Sequence, residues 1–140
     1  MVTNEQWEHM EQLTIRTSGR VEMIDITDRI RSVVQENGIR SGICVLFVPH
    51  TTAALTINEN ADPDVQKDMI REINKIVPFR DGYKHSEGNS AAHIKSTLYS
   101  PTLHLIIENR SLLLGTWQGI YFCEFDGPRN RKLYVKLIKG

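Results

Sequence analysis

Along the chain, short stretches of period two alternate with three stretches of helical period. Leu13, Ile15 and Thr17 alternate with polar neighbours, Gly19-Arg20 reads as a turn, and Val21 to Ile26 resumes the extended pattern, which predicts a hairpin. Ile30, Val33 and Val34 then supply an i, i+3, i+4 face, with Thr27 or Asp28 as the cap and Asn37-Gly38 as the stop. Gly42 to Val48 is apolar without alternation, the pattern of a strand buried on both faces, and Pro49 ends it. Ala53 to Ile57 predicts a further strand. Asp62 as N-cap, Pro63 at the first helical position and Asp64 beside the helix dipole open a second helix. Its buried face is Val65, Met69, Ile73 and Ile76, and Pro78 stops it. A short helix follows from Ser90 to Leu98, with Ile94 and Leu98 inward. Strands are predicted at Leu103 to Glu108, Gly119 to Phe125 and Lys132 to Ile138. Helices gather between groups of strands instead of alternating with each, so the expected class is α+β, a mainly antiparallel β-sandwich core with about three helices, in a single domain over residues 1–140.

Composition narrows the function classes. Seventeen basic residues balance seventeen acidic ones, so the chain has no electrostatic reason to seek nucleic acid or an anionic membrane. No apolar run reaches the roughly 18 residues of a membrane helix. Residues 1–12 show neither a basic nor an apolar leader segment, which points to the cytoplasm. Cys44 and Cys123 both lie in apolar strand-like runs, where a thiol packs as a small inert hydrophobe.

Candidate chemistry concentrates in three segments. In HSEGNSAAHIK, residues 85–95, Gly88 allows close backbone approach to a ligand, Asn89 or Ser90 can cap the short helix or bind an oxyanion, and the free amides of its first turn attract anions. The plainer reading is a polar loop capped by Ser90, with exposed histidines. A metal is the rival. His50, His85 and His93 offer three imidazoles, and Glu59, Asp62 or Glu87 a carboxylate, enough for zinc or magnesium with an open position. The spacing of His85 and His93 lacks the i, i+4 relation of two ligands on one helical face. In HTTAALTINENADPD, Glu59 reads as a metal ligand or a base. Near the C-terminus, Arg129 beside Asp126 is either a turn ion pair or an oxyanion clamp. His9 and His104 read as structural.

Three blocks stand out together: HTTAALTINENADPDV at 50–65, HSEGNSAAHIK at 85–95 and GTWQGIYFCEFDGPRNR at 115–131. They resemble the YjbQ family, described as secondary thiamine-phosphate synthases. The resemblance implies an α+β domain with a β-sandwich core, a homotrimer, and one cleft gathering histidines and acidic residues. Carried over onto this chain, His50, Glu59, His85, His93 and Asp126 are the expected catalytic residues, with Asp62 in the same blocks. Gly88, Asn89, Ser90 and Arg129 are the expected phosphate contacts, and His50, His85 and His93 the ligands of a divalent ion. The implied reaction joins a hydroxymethylpyrimidine diphosphate to a thiazole phosphate with release of diphosphate. The alternative is a module that binds phosphorylated metabolites or metal, with incidental synthase activity.

Overall fold

The computed structural model describes residues 8–140, so the reading of residues 1–12 as free of a leader lies for the most part outside the described residues. The elements in order are β1 (Glu8–Arg16), β2 (Glu22–Asp25), α1 (Thr27–Asn37), β3 (Gly42–Phe47), β4 (Ala53–Glu59), α2 (Pro63–Ile76), α3 (Ser90–Leu98), β5 (Thr102–Glu108), β6 (Ser111–Leu112), β7 (Gln118–Glu124) and β8 (Asn130–Lys139). They form two antiparallel sheets, one ordered β1-β8-β3-β5-β6 and one ordered β2-β7-β4. The class is α+β, as the pattern of elements indicates.

The predicted hairpin between the first two strands does not form. β1 spends its whole length on β8, and β2 pairs with β7 in the other sheet. Between them the Glu22 carboxylate accepts bonds from the Ser18 amide and hydroxyl, at 2.9 and 2.8 Å, closing a turn that carries the chain from one sheet to the other. The helix boundaries follow the sequence signals more closely. Asp62 accepts from the Asp64 amide at 2.9 Å with Pro63 beside it, and Gly38 closes α1 in the left-handed conformation. Neither Thr27 nor Asp28 caps α1. The Thr27 hydroxyl instead accepts from the Ile120 amide at 2.8 Å, and Asp25 binds the Thr27 amide.

One core cluster takes Cys44, Leu46, Leu105, Leu133 and Val135 from the larger sheet, Leu55, Ile120 and Phe122 from the smaller, and Ile30, Val33 and Val34 from α1. The smaller sheet is covered again on its far side by α3, where Ala54, Ala92, Tyr121, Cys123 and Phe125 pack together. The strand buried on both faces is therefore β7. β3 alternates, and Ile43 and Phe47 stay 44% and 46% exposed on the outer face of the larger sheet. Both thiols are free and buried, and burial raises them, Cys44 to about 12.

α3 turns a different face inward from the one its apolar residues suggest. Ile94 and Leu98 are exposed, while Ala91, Ala92, Lys95 and Ser96 are buried. Small side chains let the helix lie close to the sheet and to α2. Ile73, Val77 and Ala91 form the seam there, and Ile76, expected inward, is exposed. Lys95 fills the remaining space: its ammonium donates to Asn74 Oδ1 at 2.7 Å and lies 4.1 Å from the centre of the Phe79 ring. Burial, and then the charge of Arg20, lower its pKa from 10.5 to about 8.

That lowering fixes a pH signature. Between about 8 and 10.5 the unfolded chain holds a proton that the folded chain has released, so stability rises with pH over this window. Chemical denaturation of the parent and Lys95→Met is expected to show the parent gaining relative stability as the pH is raised from about 8 to 10. A constant difference would contradict this account of Lys95.

Candidate functional site

At one end of the sandwich three connections meet: the β3–β4 loop carrying His50, Thr51 and Thr52, the β7–β8 turn carrying Asp126 and Arg129, and the loop entering α3 with His85, Glu87 and Asn89, followed by His93 at the start of α3. These residues, with Pro49 and Arg131, line a cavity of about 500 Å³.

The floor is a buried ion pair. Arg131 and Glu124 are 3% and 0% exposed. Arg131 Nε donates to Glu124 Oε1 at 2.8 Å, and Nη2 donates to Glu124 Oε2 and to the Thr52 hydroxyl and carbonyl, the last two at 2.8 and 3.2 Å. Glu124 also accepts from the Thr17 hydroxyl at 2.8 Å and from the Phe125 and Asp126 amides, both at 3.1 Å. Burial alone would raise the Glu124 pKa. The bonds from Arg131, Thr17 and the Asp126 amide, with the Arg131 charge, outweigh it and hold the carboxyl below its ordinary value.

The Arg129 wall is built on this floor. Thr17 Oγ1 accepts from the Arg129 amide, and the Thr17 amide donates to the Arg129 carbonyl, at 2.9 and 3.0 Å. Gly127, joined to Pro128 by a cis peptide, comes so close to the crossover that a Cβ there would lie 2.3 Å from the Gly19 carbonyl oxygen. Arg129 folds back on Asp126, with Nε to its carbonyl at 2.9 Å and Nη2 to Oδ2 at 3.1 Å. Asp126 Oδ2 also accepts from Asn89 Nδ2 at 2.9 Å, which ties the turn to the start of α3. Of the two readings of Arg129, the ion pair is present, and it also fixes a half-exposed guanidinium at the cavity rim.

His50 completes the larger sheet. Phe47 and Tyr134 are the last residues paired between β3 and β8. Two positions further on stands Pro49, and the Lys132 amide is satisfied by His50 Nε2 at 2.9 Å. An atom accepting from an N–H carries no proton, so this bond assigns the neutral Nδ1–H tautomer. Burial, then Arg131, with Arg129 and Lys132 further down and Glu124 opposing, lowers the His50 pKa and favours the same neutral form. His85 and His93 meet edge to face with ring centres 5.5 Å apart.

Several expected members are elsewhere. Glu59 stands at the far end of β4, six residues beyond Ala53 and so roughly 20 Å along the strand; its carbonyl accepts from Tyr121 and Gln66. Asp62 is occupied in capping α2. The phosphate set is divided. Asn89 stands at the cap position of α3, yet its side chain makes no cap bond and turns to Asp126. Ser90 borders a shallow apolar cavity with Tyr83 and Ile94, and Gly88, at φ +75°, borders a further cavity of about 430 Å³ with Arg20 and Phe79.

The three-imidazole metal set does not fit either. His50 Nε2 is committed to Lys132, and its other nitrogen carries the proton. Among the described residues no group of three or more His, Cys, Asp or Glu side chains is placed to hold an ion. The residues missed in the sequence are Arg131, Glu124 and Thr17. A signal was present: Arg131 shares the inward register of Leu133, Val135 and Leu137, where a charge demands a buried partner.

A model of the family described as UPF0047 protein YjbQ-like matches residues 11–140. The UPF0047 protein YugU of Bacillus subtilis is 53% identical over 130 residues, covering 92% of this chain and 98% of that one. A crystal structure of a YjbQ/UPF0047 protein from Clostridium acetobutylicum is 52% identical and superposes with a TM-score of 0.90, covering 91% of this chain and 99% of the other. One from Sulfolobus solfataricus, named a YbjQ-like protein of unknown function, is 30% identical with a TM-score of 0.91, covering 95% and 98%. The Clostridium protein is named as uncharacterised and the Sulfolobus protein as of unknown function, and none of these names mentions thiamine-phosphate synthesis. The expectation of thiamine-phosphate synthesis, as main or as incidental activity, is overturned.

The floor gives a direct test. Arg131→Met leaves Glu124 buried without its cation and is expected to cost about 3–5 kcal/mol in denaturant unfolding. Because the folded Glu124 pKa lies below its ordinary 4.5, the parent's pair contributes fully above that pH and loses its contribution as the pH falls through the folded value. In the variant this acid-linked loss should disappear; a cost under 1 kcal/mol would show the pair to be marginal.

Proposed function

Since the chain belongs to the UPF0047 protein YjbQ-like family, whose named relatives supply no activity, we propose from its geometry that the cleft is an enzyme active site that moves protons on a small phosphorylated metabolite. The observation that carries this reading is the convergence of three imidazoles on one cavity, with His50 held neutral by the Lys132 amide. Neutral imidazole is suited to general acid–base work near neutral pH. In this reading His50 presents Nδ1–H as a donor, and His93, beside His85, takes or returns the substrate proton. Arg129 and Arg131, each oriented by its own carboxylate, are fixed donors for negative charge that develops in the transition state. Asp126 acts through Arg129 and Asn89. No covalent nucleophile is needed, and no step passes through a metal.

The test is turnover of a panel of small phosphorylated metabolites by metal-stripped protein, followed by proton and phosphorus NMR. His50→Gln keeps an acceptor for the Lys132 amide, and His93→Gln lies on a helix, so both should fold. Each is expected to lower the rate by about 10²–10⁴-fold. Absence of turnover across the panel, or variants as fast as the parent, would sink the reading. Turnover that appears only on adding zinc, and vanishes in His85→Ala, would restore the metal.

We propose a homotrimer as well. Ile106, Ile43 and Ile138 stand opposite one another across β5, β3 and β8 on the outer face of the larger sheet, and all three are exposed. Such an apolar row suits burial against another copy. The two free, buried thiols suit a reducing compartment such as the cytoplasm. Ile43→Asp is expected to shift the mass measured by light scattering from trimer to monomer; a monomeric parent would refute the assembly.

A further inference from the structure

Two cavities that share His85 differ in their balance of charge. In the first, Arg129 is matched by Asp126 and Arg131 by Glu124, and Glu87 adds a further carboxylate to the wall. A doubly charged anion gains little there. The second cavity, about 430 Å³, is lined by Arg20, Phe79, Arg80, Asp81, Gly82, Tyr83, and by His85 and Gly88, so that it shares His85 with the first. Its arginines are unlike those of the first: no acidic side chain within ion-pair distance is found for Arg20 or Arg80 among the described residues.

Arg20 is held in place by other means. Its carbonyl accepts from the Gly127 amide at 3.1 Å, anchoring it to the turn that carries Arg129. Its guanidinium carbon lies 3.9 Å from the centre of the Phe79 ring, and the same ring takes the Lys95 ammonium at 4.1 Å. Two cations thus share one aromatic ring, and among the described residues neither forms an ion pair with a carboxylate. Their mutual repulsion is one of the causes that lower Lys95 towards 8, after burial. An anion beside Arg20 would offset that repulsion, and Gly82 and Gly88, both at positive φ, present backbone without side chains on the same wall.

We infer that the second cavity is a phosphate subsite: it grips the dianionic group of a phosphorylated ligand through Arg20 and Arg80, while the rest of that ligand reaches past His85 into the charge-balanced first cavity. The inference rests on the proposed proton-transfer site for its second half and on the second cavity alone for its first. It also redistributes the expected phosphate contacts, keeping Gly88 and replacing Arg129 with Arg20. Arg20 and Arg80 are exposed, so their replacement by glutamine should leave the fold intact.

Inorganic phosphate is the probe, titrated at constant ionic strength against isotope-labelled protein and followed by backbone amide NMR. Saturating shifts are expected at the amides of Gly82 and Gly88. Arg20→Gln should weaken the apparent Kd at least tenfold, Arg80→Gln severalfold, and Arg129→Gln less than twofold. Shifts confined to Asp126, Arg129 and His93 would overturn this subsite while leaving the proton-transfer reading standing. Non-saturating shifts that chloride reproduces would overturn it as well. If phosphate saturates the second cavity but no phosphorylated compound is turned over, the subsite stands and the enzymatic reading falls.

Discussion

The buried pair of Glu124 and Arg131 is the constraint from which the rest of this end of the molecule follows. A carboxylate and a guanidinium removed from water are tolerable only if every remaining lone pair and N–H finds a partner, so the pair dictates what may surround it. Thr17 must end β1 with its hydroxyl inward, Thr52 must enter β4 with both its oxygens turned to the guanidinium, and the chain after Glu124 must curl so that two successive amides reach Oε2. That curl is the start of the turn that presents Asp126 and Arg129. Both sheets are joined through the pair, since Glu124 belongs to the smaller and Arg131 to the larger.

Where an element begins and ends was legible in local chemistry. Asp62-Pro63 and Asn37-Gly38 are each set by a few neighbouring residues, and the structure follows them. Which face an element buries depends on what lies across from it, and here local pattern misled. Ile94 and Leu98 look like core positions, yet the neighbouring surface leaves room only for Ala91 and Ala92 and for the long stem of Lys95, whose methylenes pack like an apolar side chain. Strand pairing was hidden for the same reason. Nothing within residues 13–26 reveals that β1 has a ten-residue partner at the other end of the chain.

The site was legible in its members and not in its geometry. His50, His85, His93, Asp126 and Arg129 do converge, because each lies in a connection at the same end of the sandwich or, for His93, at the start of the helix that follows one. Glu59 and Asp62 are nearer to His50 in sequence than any of these, and β4 carries them to the opposite end. A strand separates residues that proximity in sequence would group together. Arg20 was passed over as a turn residue, since only the crossover from β1 to β2 brings it beside Phe79.

His50 stands where a backbone carbonyl would stand if β3 continued past Pro49. Its lone pair closes the last rung of the ladder, so a side chain of the cleft is at the same time a structural member of the sheet. An imidazole can do this only while Nε2 is unprotonated. Were the ring to take a proton there, the Lys132 amide would lose its acceptor and the entry of β8 would open next to Arg131. The protonation state of a cleft residue and the closure of the strand are in this way two readings of one proton's position.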